Sequence, residues 1–402
     1  MTVVHAHNDK GLPGSHLTRQ AVPVTFPDEV PVLTDGVVTL RGHHAGDVDG
    51  VLKQCTDPVS QQWTTVPVPY HREDARRFVT ETPASAWAEG RWMFAVEAAG
   101  DDGAPRFCGT VELRDEGNRR AEIAYGAHPW ARGRGIVERA LRLLLEWGFT
   151  EQRLRAVVWW ANRGNWASRR TAWKLGFSCD GTVERWLAQR GDLLDGWVGV
   201  LHVDDERSPR DDWLSAPVLT GEHVVLRGLR DADVPRIVEA CADERTSGWI
   251  SAIGRPYTAD LAREWVTSCT EGLACGRAVT WALVDPGTDL LVGAVNAFGI
   301  RARHEAEIGY WTHPEARGRG LMSEACGLVV RHCFTPYDEG GLGLERLEAI
   351  VAEGNTGSRH VVEGNGFTLV GRERRALRIG DGSLVDSLRY DLLLADVEAR
   401  SR

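Results

Sequence analysis

A chain of 402 residues is too long for one ordinary core and points to two or more domains. Its composition, 43% apolar and 26% charged, is that of a globular protein, and no run of eighteen apolar residues offers a membrane span. The formal net charge of −10, with no block of Lys and Arg, argues against a nucleic-acid partner, while an acidic surface favours cationic substrates such as amines only weakly. The eight cysteines show no CxxC or zinc spacing, so no metal is expected. The opening MTVVHAHNDKGLPGSH has neither the cationic start nor the apolar core of a secretory signal, so reduced thiols in a cytoplasm are the expectation.

Residues 1–31 mix His, Gly, Pro and polar residues without periodicity and read as a mobile tail. From residue 32 the chain begins a pattern that it later repeats. VLTDGVVTLRGHHAGDVDGVL and VLTGEHVVLRGLRDADVPRIV each read as a short strand followed by a helix opened by Asp, with Arg41 and Arg227 offset by 186. The strands FCGTVEL and AEIAYGA then match LLVGAVNAF and AEIGYWT. AEIAYGAHPWARGRG (121–135) and AEIGYWTHPEARGRG (306–320) align at a constant offset of 185. The helix predicted at Ile136–Phe149 is apolar along one face, as is its counterpart from Leu321. NWASRRTAWKLGF (165–177) matches NTGSRHVVEGNGF (355–367) at an offset of 190, the difference falling in a loop-like insertion, TPYDEGGLGLE, after Phe334. The charged, Pro-bearing stretch at 205–217 has the chemistry of a linker. The expected organisation is therefore a tail (1–31), a domain (32–204), a linker (205–217) and a second domain (218–397).

The ARGRG loops carry the first chemical signal. Gly133, Gly135, Gly318 and Gly320 free the backbone for close approach, and the following helix aims unpaired N–H groups and its positive dipole end at whatever lies there. Arg132, Arg134, Arg317 and Arg319 add charge of the same sign, so a diphosphate is the natural guest. A tight strand–helix connection is the plain alternative for one copy; two copies in the same strand–loop–helix context argue against it.

Taken together, the AEI(A/G)Y strand, the RGRG loop, the Asn-x-x-Ser segment and its Gly-Phe ending resemble the GNAT superfamily of acyl-CoA-dependent N-acyltransferases, and most closely its RimJ/RimL-type branch. The resemblance covers nearly all of both repeats. It implies two α/β domains in tandem, each a mixed sheet flanked by helices, and acetyl-CoA or another acyl-CoA as donor. One departure is that Trp130 and Glu315 stand where the family usually has Gln or Arg. On this resemblance the loop residues above, with Ala127 and Thr312 at the strand ends, Ile136 and Leu321 at the helix starts, and Asn165 and Asn355, hold the cofactor. Its thioester lies where two strands splay apart.

The resemblance also suggests roles for chemistry. Glu122 and Glu307 occupy the strand position of a general base that takes the proton of an amine. A strand carboxylate paired with an arginine is the alternative for each. Ser168 and Ser358 match a serine that protonates the leaving thiolate, although a helix N-cap also suits them, as it does the two asparagines. Trp63, Tyr70, Trp249 and Tyr257 lie where the family builds its acceptor wall, with core packing as the alternative. His128 and His313, before prolines, suit a packed turn better than catalysis. Trp159, Trp160, Trp166 and Trp173 make the first copy bulky where the second has Ile350, Val351, Thr356 and Glu363 at nearly equal offsets. The reaction expected is acyl transfer to a primary amine by direct attack in a ternary complex, since Cys108 and Cys326 fall at unmatched positions. The acceptor is a protein N-terminus or an amine-bearing small molecule, the latter making this a tailoring or resistance enzyme. A tandem chain with one non-catalytic CoA-binding copy and a CoA sensor without turnover are the other readings.

Overall fold

A computed structural model describes residues 30–250, 253, 256–301 and 304–400. The tail expected at 1–31 thus lies outside the described residues, apart from Val30 and Pro31. The chain divides into two compact units between Arg207 and Ser208. The stretch 205–217 has no helix or strand, and part of it belongs to the second unit. There Leu214 N–H donates to Leu273 O at 2.9 Å, and Leu214 and Ala216 pack on the core.

The first unit runs β1 (Leu33–Thr34), β2 (Val38–Arg41), α1 (Val48–Thr56), α2 (Pro58–Trp63), α3 (Arg72–Thr80), α4 (Thr82–Ala88), β3 (Arg91–Ala99), β4 (Pro105–Gly117), β5 (Arg120–Ala127), α5 (Ile136–Thr150), β6 (Ala156–Asn162), α6 (Trp166–Lys174), β7 (Gly181–Gln189) and β8 (Asp192–His202). Its sheet has the order β1-β2-β3-β4-β5-β6-β8-β7, antiparallel except between β5 and β6. The second unit repeats this as β9 (Leu219–Thr220), β10 (Val225–Gly228), α7 (Val234–Ala242), α8 (Glu244–Trp249), α9 (Ala259–Ala274), β11 (Ala278–Val284), β12 (Leu291–Arg301), β13 (Glu305–Thr312), α10 (Leu321–Phe334), β14 (Arg346–Ala352), α11 (Thr356–Gly364), β15 (Thr368–Arg378), β16 (Leu384–Leu393) and α12 (Leu394–Arg400). Again only β13 and β14 run parallel.

Alternation along the strands serves two cores, because successive side chains point to opposite faces. In the first unit Phe94 and Val96 join Leu141, Leu144 and Leu145 of α5 on one face, while Ala95 and Phe107 join Val51, Ala75 and Val79 of α1 and α3 on the other. Each fully buried leucine of α5 contributes roughly 1.5–3 kcal/mol. The conserved offset of Arg41 and Arg227 also has a structural reason. Arg41 bonds both carboxylate oxygens of Asp47 at 2.8 Å, and Arg227 those of Asp233 at 2.9 Å, fixing the turn into α1 and α7.

The parallel pairing that joins the two halves of each sheet is short. Arg120 to Ile123 of β5 pair with Ala156 to Trp159 of β6, and no further. In the second unit only Glu305 to Glu307 pair with Arg346 to Glu348. Beyond these points the strands diverge, so the backbone groups of β13 after Glu307 that face β14 have no strand to bond. This register also corrects one comparison: Trp159 corresponds to Ala349 and Trp160 to Ile350, one position from the counterparts assigned by offset alone.

Candidate active site

The glycine loops are shaped for an external guest. Gly133, Gly135, Gly318 and Gly320 all have φ between 72° and 76°, the left-handed region, and Gly135 and Gly320 are the N-caps of α5 and α10. A Cβ at any of the four would meet no atom within 4 Å, so the space beside them belongs to no other part of the protein. Open N–H groups, a helix N-terminus and a cradle that no side chain fills fit a diphosphate.

The arginines divide unevenly. Arg132 is held by Asp57 at 2.5 Å and by Ser60 Oγ at 2.9 Å, and Arg317 by Asp243 and by Thr246 Oγ1 at 2.6 Å. Asp57 and Asp243 are themselves the N-caps of α2 and α8. Arg134 pairs with Asp101 at 2.7 Å in an exposed contact, whereas Arg319 has no ion pair among the described residues. Trp130 donates to Phe107 O, and Glu315 turns away from the loop to Arg236 at 2.8 Å, so neither departure obstructs the cradle. His128 and His313 accept from the backbone N–H groups of Trp130 and Glu315 through Nδ1, which makes them turn residues.

In the second unit a cavity of about 830 Å³ runs through the break between β13 and β14. It reaches the loop at Arg317, Gly318, Gly320 and Leu321, and includes Thr312, Asn355 and Ser358. It also includes Glu307 and Trp249 on the opposite face of the sheet. Most of the residues singled out in this copy are therefore brought together. Tyr257 is not among them. It packs in the cluster of α7 and α9 against Cys241, and Tyr70 packs likewise against Cys55. Trp249 and Trp63 sit over Gly354 and Gly164, the turns leaving β14 and β6.

The asparagine–serine segment divides its labour. Asn165 and Asn355 are the N-caps of α6 and α11, their Oδ1 atoms accepting from Ser168 and Ser358 N–H at 3.2 and 3.1 Å. The serines are not caps, which leaves their hydroxyls available. Ser358 Oγ lies 2.9 Å from the Tyr310 hydroxyl, and Ser168 Oγ lies 2.8 Å from that of Tyr125. Burial pushes Tyr125 up to about 12 and raises Tyr310 as well, so both phenols keep their protons at neutral pH. These tyrosines belong to the repeated AEI(A/G)Y strand, and their recurrence with the serine was the signal that could have marked them.

The two glutamates differ. Burial raises both above the usual carboxylate range. Glu307 is raised further by Glu348, its register partner on β14, against a weaker pull from Arg389. Its carboxylate has no hydrogen bond or ion pair among the described residues. Glu122, by contrast, accepts from Arg114 at 3.1 Å, and that charge opposes the effect of burial.

Comparison with known proteins identifies the family. A family model described as "Acetyltransferase (GNAT) domain" matches residues 38–178 and again 223–368. The chain belongs to the GNAT acetyltransferase family. It is a tandem GNAT protein and an N-acetyltransferase. "Putative ribosomal N-acetyltransferase YdaF" of Bacillus subtilis is 28% identical over 176 residues, covering 43% of this chain and 89% of that protein. "Probable N-acetyltransferase YjcK" of the same organism is 34% identical over 125 residues, covering 31% and 66%. Among solved structures, Mycobacterium smegmatis RimJ in complex with CoA-disulfide is 23% identical with a TM-score of 0.39, covering 46% of this chain and 93% of that one. No helix among the described residues of this GNAT protein is long and apolar enough to cross a membrane.

Proposed function

We propose that this protein transfers an acyl group, acetyl in the first instance, from acyl-CoA to a primary amine by direct attack within a ternary complex. The observation that carries the reading is the continuous cavity of the second unit. It links a glycine loop at a helix N-terminus to a half-buried carboxylate that is unpaired among the described residues and to a Ser–Tyr hydroxyl pair.

Acyl-CoA supplies the activated thioester. Gly318, Gly320 and the first turn of α10 bind its diphosphate, with Arg319 adding charge and Asn355 lining the path. The unpaired edge of β13 offers main-chain groups to an extended amide-bearing arm in the manner of an added strand. The N–H near Thr312 is positioned to bind developing negative charge on the carbonyl oxygen. Glu307, its carboxyl raised by burial and by Glu348, accepts the proton of the incoming amine, directly or through water. Ser358, paired with the neutral phenol of Tyr310, delivers a proton to the departing sulfur. The eight cysteines are all free, the state that a reducing cytoplasm maintains.

The relative named as a putative ribosomal N-acetyltransferase makes an amine of a ribosomal protein the first acceptor to try. The deciding experiment is thiol release from acetyl-CoA with ribosomal-protein N-terminal peptides, polyamines and aminoglycosides, each product checked by mass. Amine-dependent release with one acetyl group on the acceptor supports the reading. Tight CoA binding with no amine-dependent release from any of them would overturn it in favour of a CoA sensor.

A further inference from the structure

Resting on the assignment of Glu307 as the base, we infer that acylation is carried by the second unit alone. In the first unit the corresponding groups are locked into an internal network that keeps them from turning over substrate.

Three independent differences lead there. The first is charge. Register places Arg114 beside Glu122 and Phe298 beside Glu307. In the first unit Arg91 bonds Glu112 at 2.7 Å, Arg114 bonds Glu112 at 3.1 Å, and Arg114 bonds Glu122 at 3.1 Å. Glu112 is 4% exposed, so the network is anchored in the interior. Its counterparts in the second unit are Ala278, Asn296 and Phe298, which contribute no cation. For Glu122 to take a proton from an amine, it must give up the stabilisation that a paired, partly buried carboxylate draws from Arg114.

The second difference is space. Trp159, the last residue of β6 paired with β5, is 1% exposed and donates its indole N–H to Ser168 Oγ at 3.1 Å, so a buried ring stands at the edge of the strand break and occupies a lone pair of the serine. Ala349 at the same position lines the open cavity, and Tyr310 is the one side-chain partner of the Ser358 hydroxyl among the described residues. The third lies on the opposite face. Asn162 bonds Gln189, whose amide donates to Gln62 O at 2.8 Å, tying β6 and β7 to the end of α2. Ala352 stands where Asn162 does and lines the cavity instead.

The test compares Glu122→Gln with Glu307→Gln in the full chain, both near-isosteric and both checked for intact folding by thermal unfolding. Thiol release with the accepted amine is expected to fall by roughly 100-fold or more for Glu307→Gln and to stay within about twofold for Glu122→Gln. Comparable losses from both, or a loss confined to Glu122→Gln, would overturn the inference while leaving N-acyltransfer in place. Indifference of the double variant would remove the general-base assignment and the inference with it. A readout that needs no turnover is carbodiimide coupling of an amine tag, mapped by mass. Glu307 is expected to label well before Glu122, and Arg114→Met to make Glu122 reactive. Equal labelling of the two in the unsubstituted protein would sink the inference.

Discussion

Tyr310 Oη stands 2.9 Å from Ser358 Oγ across the gap between β13 and α11, and it also donates to the Ser358 carbonyl at 3.0 Å. The two hydroxyls form one proton-holding unit, pinned to the first turn of α11 by the Asn355 cap. Ser358→Ala and Tyr310→Phe are each expected to lower kcat by about 10²-fold with little change in the KM for acyl-CoA. The double variant should be scarcely worse than the more damaging single one, since both remove the same unit. Steady-state kinetics on the three variants checks this. Additive losses would mean that the hydroxyls act separately.

The pH dependence should report Glu307. Its carboxyl is raised by burial and by Glu348, so the base is lost as pH falls through a value above the usual carboxylate range. Activity therefore rises with pH along that limb. Glu348→Gln removes the neighbouring negative charge, lowers the pKa of Glu307 and moves the acid limb of kcat/KM to lower pH. Arg389→Met removes the opposing cation and moves it to higher pH. A shift in the reverse direction for either variant would show that another group sets the limb.

Gly320 caps α10 at φ 76°, and a Cβ there meets nothing in the protein. Gly320→Ala should thus cost about 1–2 kcal/mol of backbone strain without a clash. Because the added methyl and the relaxed turn both intrude on the cradle, CoA affinity is expected to fall by more than that strain explains. Calorimetric CoA titration set beside the change in Tm decides the point. Equal effects on both would reduce the loop to a tight connection.

Trp159 and Ala349 invite reciprocal exchange. Trp159→Ala should destabilise the first unit by about 3–5 kcal/mol through the cavity it leaves. Ala349→Trp should close the break in the second unit and abolish thiol release while the fold persists. Denaturant unfolding and thiol release, measured on both variants, would expose an error if Ala349→Trp kept full activity.

The loops, the amphipathic helices and the repeated strands were legible because their signals are local: two glycines at fixed spacing, a 3.6-residue stripe, an alternation of two. What lay hidden depended on partners distant in sequence. Arg114 pairs with Glu122 where Phe298 stands beside Glu307, yet only antiparallel register sets them there. The offset comparison of the β6 and β14 tryptophan positions slipped by one residue, which in a strand exchanges one face for the other. Arg132 and Arg317 read as cations awaiting a phosphate because Asp57 and Asp243, more than seventy residues away, do not announce themselves as partners. Tyr70 and Tyr257 were expected in an acceptor wall from the family resemblance, whereas the helices they pack against are set by tertiary packing.

The Arg317–Asp243 pair has a kinetic consequence. Asp243 caps the six-residue helix that ends in Trp249, a wall of the cavity, so a single guanidinium links the glycine loop to that helix. A diphosphate that drew Arg317 toward itself would take that support from α8 and free Trp249 to move. Admission of the amine would then wait on arrival of the nucleotide, and a compulsory donor-first sequence would follow from one shared ion pair.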